Sequence, residues 1–393
     1  MNILLIGRGI SNLSLKKELE KNNDVMFAIE DYEELDNNSI YKKEVNIDDF
    51  DLFFISPGVK NDDELYLKLL INKKIISSEL EYSLEKLKNH KIIAITGSNG
   101  KTTVASLLSY ILKKKNIKHV LAGNIGDPLI NYINVDKDTL IILEISSFQL
   151  ERINNLKPYI SVITNITPNH LDRHTFDEYI KIKKKIFSNQ NTNDFLITNK
   201  ETDNRYKFNS NAKIIKVNKS IIKSKYLKGN HNKYNINYVI KILKILNVKH
   251  YIKHIRYFKG VKFRLEYLGK YHNTKIYNDA KSTTIYSTIE GIKLLGYNTL
   301  LIIGGKNKNI DYSIIRKYKI KEIIIYGEEA KYTSLNIKKF NSLKDVFIYL
   351  KDNIKKYKNI LYSPGFTSLD QYNNYNERGI EFEKLCQEYF KIK

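Results

Sequence analysis

Ile95-Thr96-Gly97-Ser98-Asn99-Gly100-Lys101-Thr102-Thr103 is the stretch on which the fold reading turns. An apolar run over 91–96 feeds it, and Leu107, Leu108, Ile111 and Leu112 follow at helical spacing. A strand, a glycine turn and a Lys-Thr pair opening a helix aim backbone N–H groups at phosphate oxygens. The spacing Gly-x-x-Gly-Lys-Thr is two residues shorter than the common Walker A string, so the flanking strand and helix carry the reading. Gly97, Ser98, Asn99, Gly100, Lys101, Thr102 and Thr103 are therefore candidates to cradle a nucleotide. Lys101 suits the β/γ-phosphates, and a threonine hydroxyl suits Mg²⁺.

Outward from this loop, apolar runs recur at 2–6, 24–29 and 51–55, then at 140–143, 162–164, 195–198 and 214–217. A last set lies at 300–303, 322–326 and 359–362, and helical patterns fall near 13–21, 79–88, 234–246 and 377–389. Strands alternating with helices indicate parallel βαβ units. The expected fold is α/β in three domains. These are a Rossmann-like N-terminal domain at 1–89, a central P-loop ATPase-like domain with a mostly parallel sheet at 90–259, and a C-terminal Rossmann-like domain at 260–393. Gly7-Arg8-Gly9-Ile10-Ser11-Asn12 is similar to a dinucleotide fingerprint without its third glycine. A nicotinamide site, the diphosphate of a nucleotide sugar and a plain chain turn all stay open there.

A chain of 393 residues, 42% of them hydrophobic, suits several globular domains and argues against disorder. The single cysteine, Cys386, rules out an internal disulfide. The apolar N-terminal run reaches Gly7 too early for a signal peptide, and no apolar run has the length of a membrane span. A cytoplasmic protein without a membrane partner is expected. The formal charge is +23, yet only eight of the 66 basic residues are arginine, while Asn, Ile and Tyr abound. That profile matches an AT-rich coding sequence. It is read as solvated lysine faces with some attraction for anionic substrates, and no nucleic-acid partner is expected.

Glu144 ends the strongly apolar run Leu140-Ile141-Ile142-Leu143, where a buried carboxylate is costly without a cation. His170 and Asp172 follow another strand end, in Thr167-Pro168-Asn169-His170-Leu171-Asp172. Strand ends of one parallel sheet converge on the crevice that receives the phosphate-loop ligand.

The phosphate loop, Gly123-Asn124-Ile125-Gly126, Glu144-Ile145-Ser146-Ser147-Phe148-Gln149-Leu150-Glu151 and the His170 segment stand in the order of the Mur ligases, and the chain resembles that family. Asn278-Asp279-Ala280-Lys281-Ser282-Thr283, Gly304-Gly305-Lys306-Asn307-Lys308 and Ser363-Pro364-Gly365-Phe366-Thr367-Ser368-Leu369-Asp370-Gln371-Tyr372 extend the resemblance over nearly the whole chain. Mur ligases join amino acids to UDP-N-acetylmuramic acid in peptidoglycan assembly. Within the family, the Ser-Ser-Phe-Gln-Leu-Glu stretch resembles the members that add D-glutamate.

The resemblance implies an ATP-dependent ligase acting on UDP-N-acetylmuramoyl-L-alanine, D-glutamate and ATP, working as a monomer. It places Lys101 and the loop amides on ATP phosphates, and Thr102, Glu144, His170 and Lys183 around two Mg²⁺ ions. Lys183 would be a carbamate, which turns a cation into a carboxylate-like ligand. From the residues alone, Lys183 belongs to the basic cluster 181–185, where a solvated face is the default. By the same resemblance Lys101, Asn124, His170 and Lys183 are catalytic, and Asn232, Asn235, Arg264 and Asp279 contact nucleotide. Ser11, Glu30 or Asp31, Ser56 and Ser146 line the UDP-substrate side. Thr283, Lys308, Ser368 and Tyr375 form the D-glutamate pocket.

The sequence departs from the family at three of these places. Phe263 stands for a histidine before Arg264, Asn307 for an aspartate before Lys308, and Tyr375 for a phenylalanine. The implied reaction runs through an acyl phosphate. A superfamily ligase for another amino acid, or a P-loop kinase or ATPase, is the alternative; the latter needs only residues 91–220 and leaves the C-terminal patterns without a role.

Overall fold

The computed structural model describes residues 1–169, 173–227, 229–283, 285–307 and 312–392. His170, Asp172 and Lys308 lie outside them. Among the described residues the strands form three sheets, and the chain divides into two compact units. Met1–Lys223 with Asn230–Ile255 make the first unit; Ser224–Gly229 with Arg256–Lys393 make the second.

The first unit holds two sheets. β1 (Asn2–Ile6), β2 (Asp24–Ile29), β3 (Ser39–Tyr41), β4 (Leu52–Ile55) and β5 (Ile76–Ser77) build a parallel sheet in the order β3-β2-β1-β4-β5. β1 lies at its centre, with Ile3, Leu4, Leu5 and Ile6 all fully buried between two apolar layers. A strand covered on both faces reads as a continuous apolar run, which is why Ile3-Leu4-Leu5-Ile6 shows no alternation.

β6 (Ile92–Thr96), β7 (His119–Gly123), β8 (Leu140–Glu144), β9 (Ile160–Ile163), β10 (Phe195–Asn199) and β11 (Lys213–Val217) form a second parallel sheet, ordered β11-β10-β9-β6-β8-β7. The helix Lys101–Lys114 leaves the C-terminal end of β6 and buries Val104, Ala105, Leu107, Leu108, Ile111 and Leu112. β6 runs between β9 and β8, so the chain crosses over in opposite senses on its two sides. Its C-terminal end is a switch point, where open parallel sheets bind ligands.

The second unit contains β12 (Glu266–Tyr271), β13 (Thr274–Asn278), β14 (Thr299–Gly304), β15 (Glu322–Tyr326), β16 (Lys338–Phe340) and β17 (Asn359–Gly365), ordered β12-β13-β17-β14-β15-β16. β12 and β13 pair antiparallel, and the remaining pairs are parallel. Apolar clusters lie on both faces, and the helix Tyr375–Phe390 packs Phe382, Leu385, Cys386 and Phe390 into one of them. The expected α/β fold with mostly parallel sheets is the observed one.

Among the described residues no helix is long and apolar enough to cross a membrane.

Candidate active site

The loop between β6 and the helix Lys101–Lys114 is held by its glycines. Gly97 (φ +141°) and Gly100 (φ +89°) adopt backbone conformations that side chains disfavour. A Cβ on Gly97 would stand 2.0 Å from Thr164 Oγ1, and one on Gly100 would stand 2.6 Å from Asn235 Oδ1. The turn after β9 braces the loop from beneath. Ser98 N donates to Asn165 O (2.9 Å), Asn99 N to Asn165 Oδ1 (3.0 Å) and Thr164 Oγ1 to Asn99 O (2.6 Å). The Ser98 hydroxyl reaches Thr167 O (2.8 Å) and the buried Tyr179 hydroxyl (3.1 Å). Thr164, Asn165 and Tyr179 are supports that the motif did not reveal, because a brace is fixed by the fold and not by spacing along the chain.

Lys101 Nζ curls back to Gly97 O (2.7 Å) and Ser98 O (3.2 Å), over the mouth of its own loop. Thr102 and Thr103 are buried in the first helical turn. β8 runs beside β6 with Glu144 level with Ile95, so its carboxylate arrives at the loop. Thr102 Oγ1 donates to Glu144 Oε1 (3.2 Å), and Asn124 Nδ2 donates to the same oxygen (2.8 Å). Asn124 N also donates to Glu144 O (2.8 Å). The second carboxylate oxygen, Oε2, is buried and finds no hydrogen-bond partner among the described residues. An anionic oxygen so placed is what a cation needs.

Lys183 is not on a solvated face. It lies in the helix Phe176–Lys184, which a Thr175–Glu178 capping box starts, and it is 1% exposed. Tyr179, Lys183 and Phe187 recur every four residues and point inward together. That aromatic–Lys–aromatic spacing was the signal in the sequence. Its Nζ donates to Thr96 Oγ1 (2.8 Å), whose own proton goes to Ile145 O (2.8 Å). Burial first, then the like charge of Lys101, push the Lys183 ammonium well below its ordinary range, against an opposing pull from Glu144. An amine held neutral can react with CO₂, and the Glu144 carboxylate acts on it electrostatically while its Oε2 has no hydrogen-bond partner among the described residues, so these residues fit a magnesium–carbamate centre. Among the described residues no three His, Cys, Asp or Glu side chains converge on one point. Glu144, the Thr102 hydroxyl and Lys183 are therefore the part of the expected ligand set in view.

Ser146 serves locally as the cap of the helix Ser147–Glu151, in a capping box with Gln149. Asn235 is buried against the phosphate loop and donates to Asn232 Oδ1 (3.0 Å). In the first sheet, the Cβ position of Gly9 is 3.0 Å from Ser56 Oγ, so the ends of β1 and β4 close on one another. Ser11 stands in the first turn of the helix Ile10–Leu19, and the neighbouring Asn12 ties Ile6 O and Gly7 O. Glu30 and Asp63 share the Lys42 ammonium (2.5 and 2.6 Å), and Asp31 pairs with Lys43 at 2.8 Å.

The remaining expected residues belong to the second unit. Asp279 accepts from Ser282 Oγ (2.7 Å), Ser363 Oγ (2.7 Å) and Leu265 N (2.9 Å), while burial raises its carboxyl above the usual range. Arg264 is exposed, and Phe263 before it adopts φ +60° and packs in the core over Gly379. The aromatic departure at 263 is thus a packing residue. Thr283 is half-buried and Ser368 is buried. Tyr375 begins the helix Tyr375–Phe390, its ring 5.6 Å from the Lys281 ammonium. Arg378, fully buried, donates to Gly304 O (3.4 Å), Phe366 O (3.1 Å) and Ala280 O (3.0 Å). It pins three strand-end turns, a role that its charge hides in a sequence.

A parallel sheet carrying a glycine phosphate loop, with an acidic residue on the next strand, defines a nucleotide-phosphate-binding α/β protein. The described family domain "Mur ligase middle domain" matches residues 95–278. The chain belongs to the Mur ligase family. It is 32% identical to the UDP-N-acetylmuramoylalanine–D-glutamate ligase of Thermoanaerobacter sp. (strain X514), over 98% of both chains. It is 31% identical to the enzyme of that name from Clostridioides difficile (strain 630), over 97% of both. Its fold matches the UDP-N-acetylmuramate–alanine ligase of Thermotoga maritima, with a TM-score of 0.57 at 17% identity over 99% of both chains. MurF of Acinetobacter baumannii matches with a TM-score of 0.58 at 16% identity, over 81% of this chain and 82% of that one. Mur ligases are ATP-dependent and use Mg²⁺.

Proposed function

We propose that this protein is a cytoplasmic ligase that adds D-glutamate to UDP-N-acetylmuramoyl-L-alanine, with ATP cleaved to ADP and phosphate, in peptidoglycan precursor synthesis. The observation that carries the reading is Glu144. It is buried at the end of β8 and joined through one oxygen to both Thr102 of the phosphate loop and Asn124. The names of the relatives supply the amino acid and its acceptor.

In the first step the acceptor carboxylate attacks the γ-phosphorus of ATP and ADP leaves, giving an acyl phosphate. Two anions must meet, so the cation of Lys101 and the loop amides offset their repulsion and steady the transferring phosphoryl oxygens. Thr102, Glu144, His170 and a carbamate on Lys183 would hold two Mg²⁺ ions, which supply charge neutralisation when bound. Asn124 orients the reacting end of the acceptor. In the second step the neutral amine of D-glutamate attacks the acyl carbon and phosphate departs, with His170 available to the proton. Asn232, Asn235, Arg264 and Asp279 serve the nucleotide, and Ser11, Ser56 and Ser146 the UDP-substrate. Thr283, Lys308, Ser368 and Tyr375 receive the D-glutamate carboxylates, for which hydroxyls and a cation are suited donors. The protein acts on these small molecules as a monomer.

Phosphate release measured with substrates omitted one at a time tests the reading. Release is expected only with ATP, UDP-N-acetylmuramoyl-L-alanine and D-glutamate together; release with neither co-substrate, or with L-lysine replacing D-glutamate, overturns it.

A further inference from the structure

The positive charge is not spread evenly. Residues 204–265 contain seventeen lysines and arginines and no aspartate or glutamate, so this stretch holds +17 of the formal +23. At the chain's average acidic frequency about seven acidic residues would fall there. A coding bias toward lysine adds cations everywhere, but it does not remove acids from one stretch. Two lysines of the stretch pair with carboxylates outside it, Lys216 with Asp203 and Lys262 with Glu383.

In the first unit the stretch forms one continuous surface. It starts on β11, the edge strand of the second sheet, where Lys213 and Lys216 are exposed. Ser220 N donates to Lys233 O (3.0 Å), which lays the connecting segment beside the start of the helix Asn230–Ile245. Lys233, Asn237, Lys241 and Lys244 recur at helical spacing as one stripe alongside the buried Ile236, Val239, Ile240 and Leu243. The stripe runs on into a concavity of about 610 Å³ lined by Lys244, Lys249, His250 and Lys253. His254 beyond it meets the Tyr110 ring edge-on (centroids 6.4 Å apart), and burial, then Lys115 and Lys114, disfavour its protonation. Acidic side chains border this surface at one end only among the described residues of the stretch and its preceding helix, where Asp203 pairs with Lys216 (2.6 Å) beside Glu201.

We propose that this acid-free face docks the protein on membranes rich in anionic phospholipid. The cations on the face are lysines, apart from Arg205 at its edge, so the bidentate arginine forks that read nucleic acid are scarce. Its tyrosines are partly buried and offer no row of stacking rings. Aliphatic side chains stand out instead: Ile221 is 95% exposed between Lys219 and Lys223, and Ile252 is 46% exposed beside Lys253. Clustered lysines with protruding isoleucines match a headgroup layer, which takes cations at its surface and apolar groups just beneath. The inference does not depend on which amino acid the ligase adds.

Vesicle co-sedimentation of the full chain tests it, with phosphatidylcholine alone or mixed with phosphatidylglycerol. Binding is expected only with phosphatidylglycerol and is expected to fall about tenfold or more as salt rises from low to high concentration. Lys233→Glu/Lys241→Glu/Lys244→Glu should weaken it by about a hundredfold. Lys344→Glu/Lys351→Glu/Lys355→Glu, an equal charge change on the exposed side of the helix Leu343–Asn353 and the turn after it in the second unit, should leave most binding intact. Thermal melting confirms that each variant is folded. No binding to the anionic vesicles, equal binding to phosphatidylcholine, or equal loss in both variants overturns the proposal. Tighter binding to single- or double-stranded DNA than to the vesicles also overturns it, in favour of a nucleic-acid partner.

Discussion

Lys183 shows how far a single residue can be pushed from its ordinary chemistry. Its amine is buried with Thr96 as acceptor and Lys101 nearby, and its ammonium form is strongly disfavoured. Its folded pKa is depressed, so the folded state carries no penalty above the unfolded value near 10.5. As pH falls below that value, the unfolded chain takes up the proton first and stability is lost down to the folded pKa. Lys183→Met should therefore abolish activity yet raise the melting temperature by several degrees at neutral pH in CO₂-free buffer. The gain should shrink as pH approaches 10.5; a gain independent of pH would point to packing alone. Glu144→Gln keeps an acceptor for Thr102 and Asn124 but removes the charge. A fall in kcat of about 10²–10³ with an unchanged circular dichroism spectrum is expected, and near-normal turnover would remove the carboxylate from the chemistry.

At the scale of elements, what the sequence disclosed follows burial. β1, β6, β8 and β14 are covered on both faces, so each is a plain apolar run and was legible. The β12–β13 hairpin was not: Tyr267, Gly269 and Lys270 sit on an edge strand with no apolar period to read. β7, with His119 and a partly buried Val120 and Leu121, escaped for the same reason. Helix starts were misplaced where the cap was unusual. The helix Ile10–Leu19 begins three residues before the expected 13, after a Gly9 that offers no side-chain cap. The phosphate loop was legible because its function demands glycines at fixed places. The Thr164–Asn165 brace beneath it was not, since those contacts join residues some 66 positions apart. The same tightness makes the loop intolerant. Gly100→Ala should cost about 1–3 kcal/mol in denaturant unfolding, from its positive φ and its approach to Asn235. It should also raise the KM for ATP; an unaffected KM would mean that Asn235 moves aside freely.

At the scale of the first unit, two arginines of the second sheet's layer grip the turn that follows β4. Arg173 donates to Pro57 O (3.0 Å) and Val59 O (2.8 Å), and Arg152 donates to Val59 O (3.2 Å) and Asn61 Oδ1 (2.7 Å). The turn carrying Ser56 is thus set in place by the part of the chain that holds the phosphate loop. Neither arginine could be assigned this task from sequence, because nothing local marks a residue whose partners lie 91 to 116 positions away. Arg173→Ala should raise the KM for the UDP-substrate about tenfold or more while that for ATP changes little, as loss of one charged hydrogen-bond pair implies. The reverse pattern would place the grip on the nucleotide side.

Glu144 closes the account at the scale of the whole molecule. One of its oxygens is spoken for twice and the other, buried, has no partner among the described residues. A divalent ion that meets it binds the folded chain and not the unfolded one, so it stabilises by mass action. Differential scanning calorimetry without any substrate should show the melting temperature climbing with Mg²⁺ and standing still in Glu144→Gln; a flat response in both would detach this oxygen from the ion. The thermal stability of such a protein is a gauge of the magnesium around it as well as of its own packing.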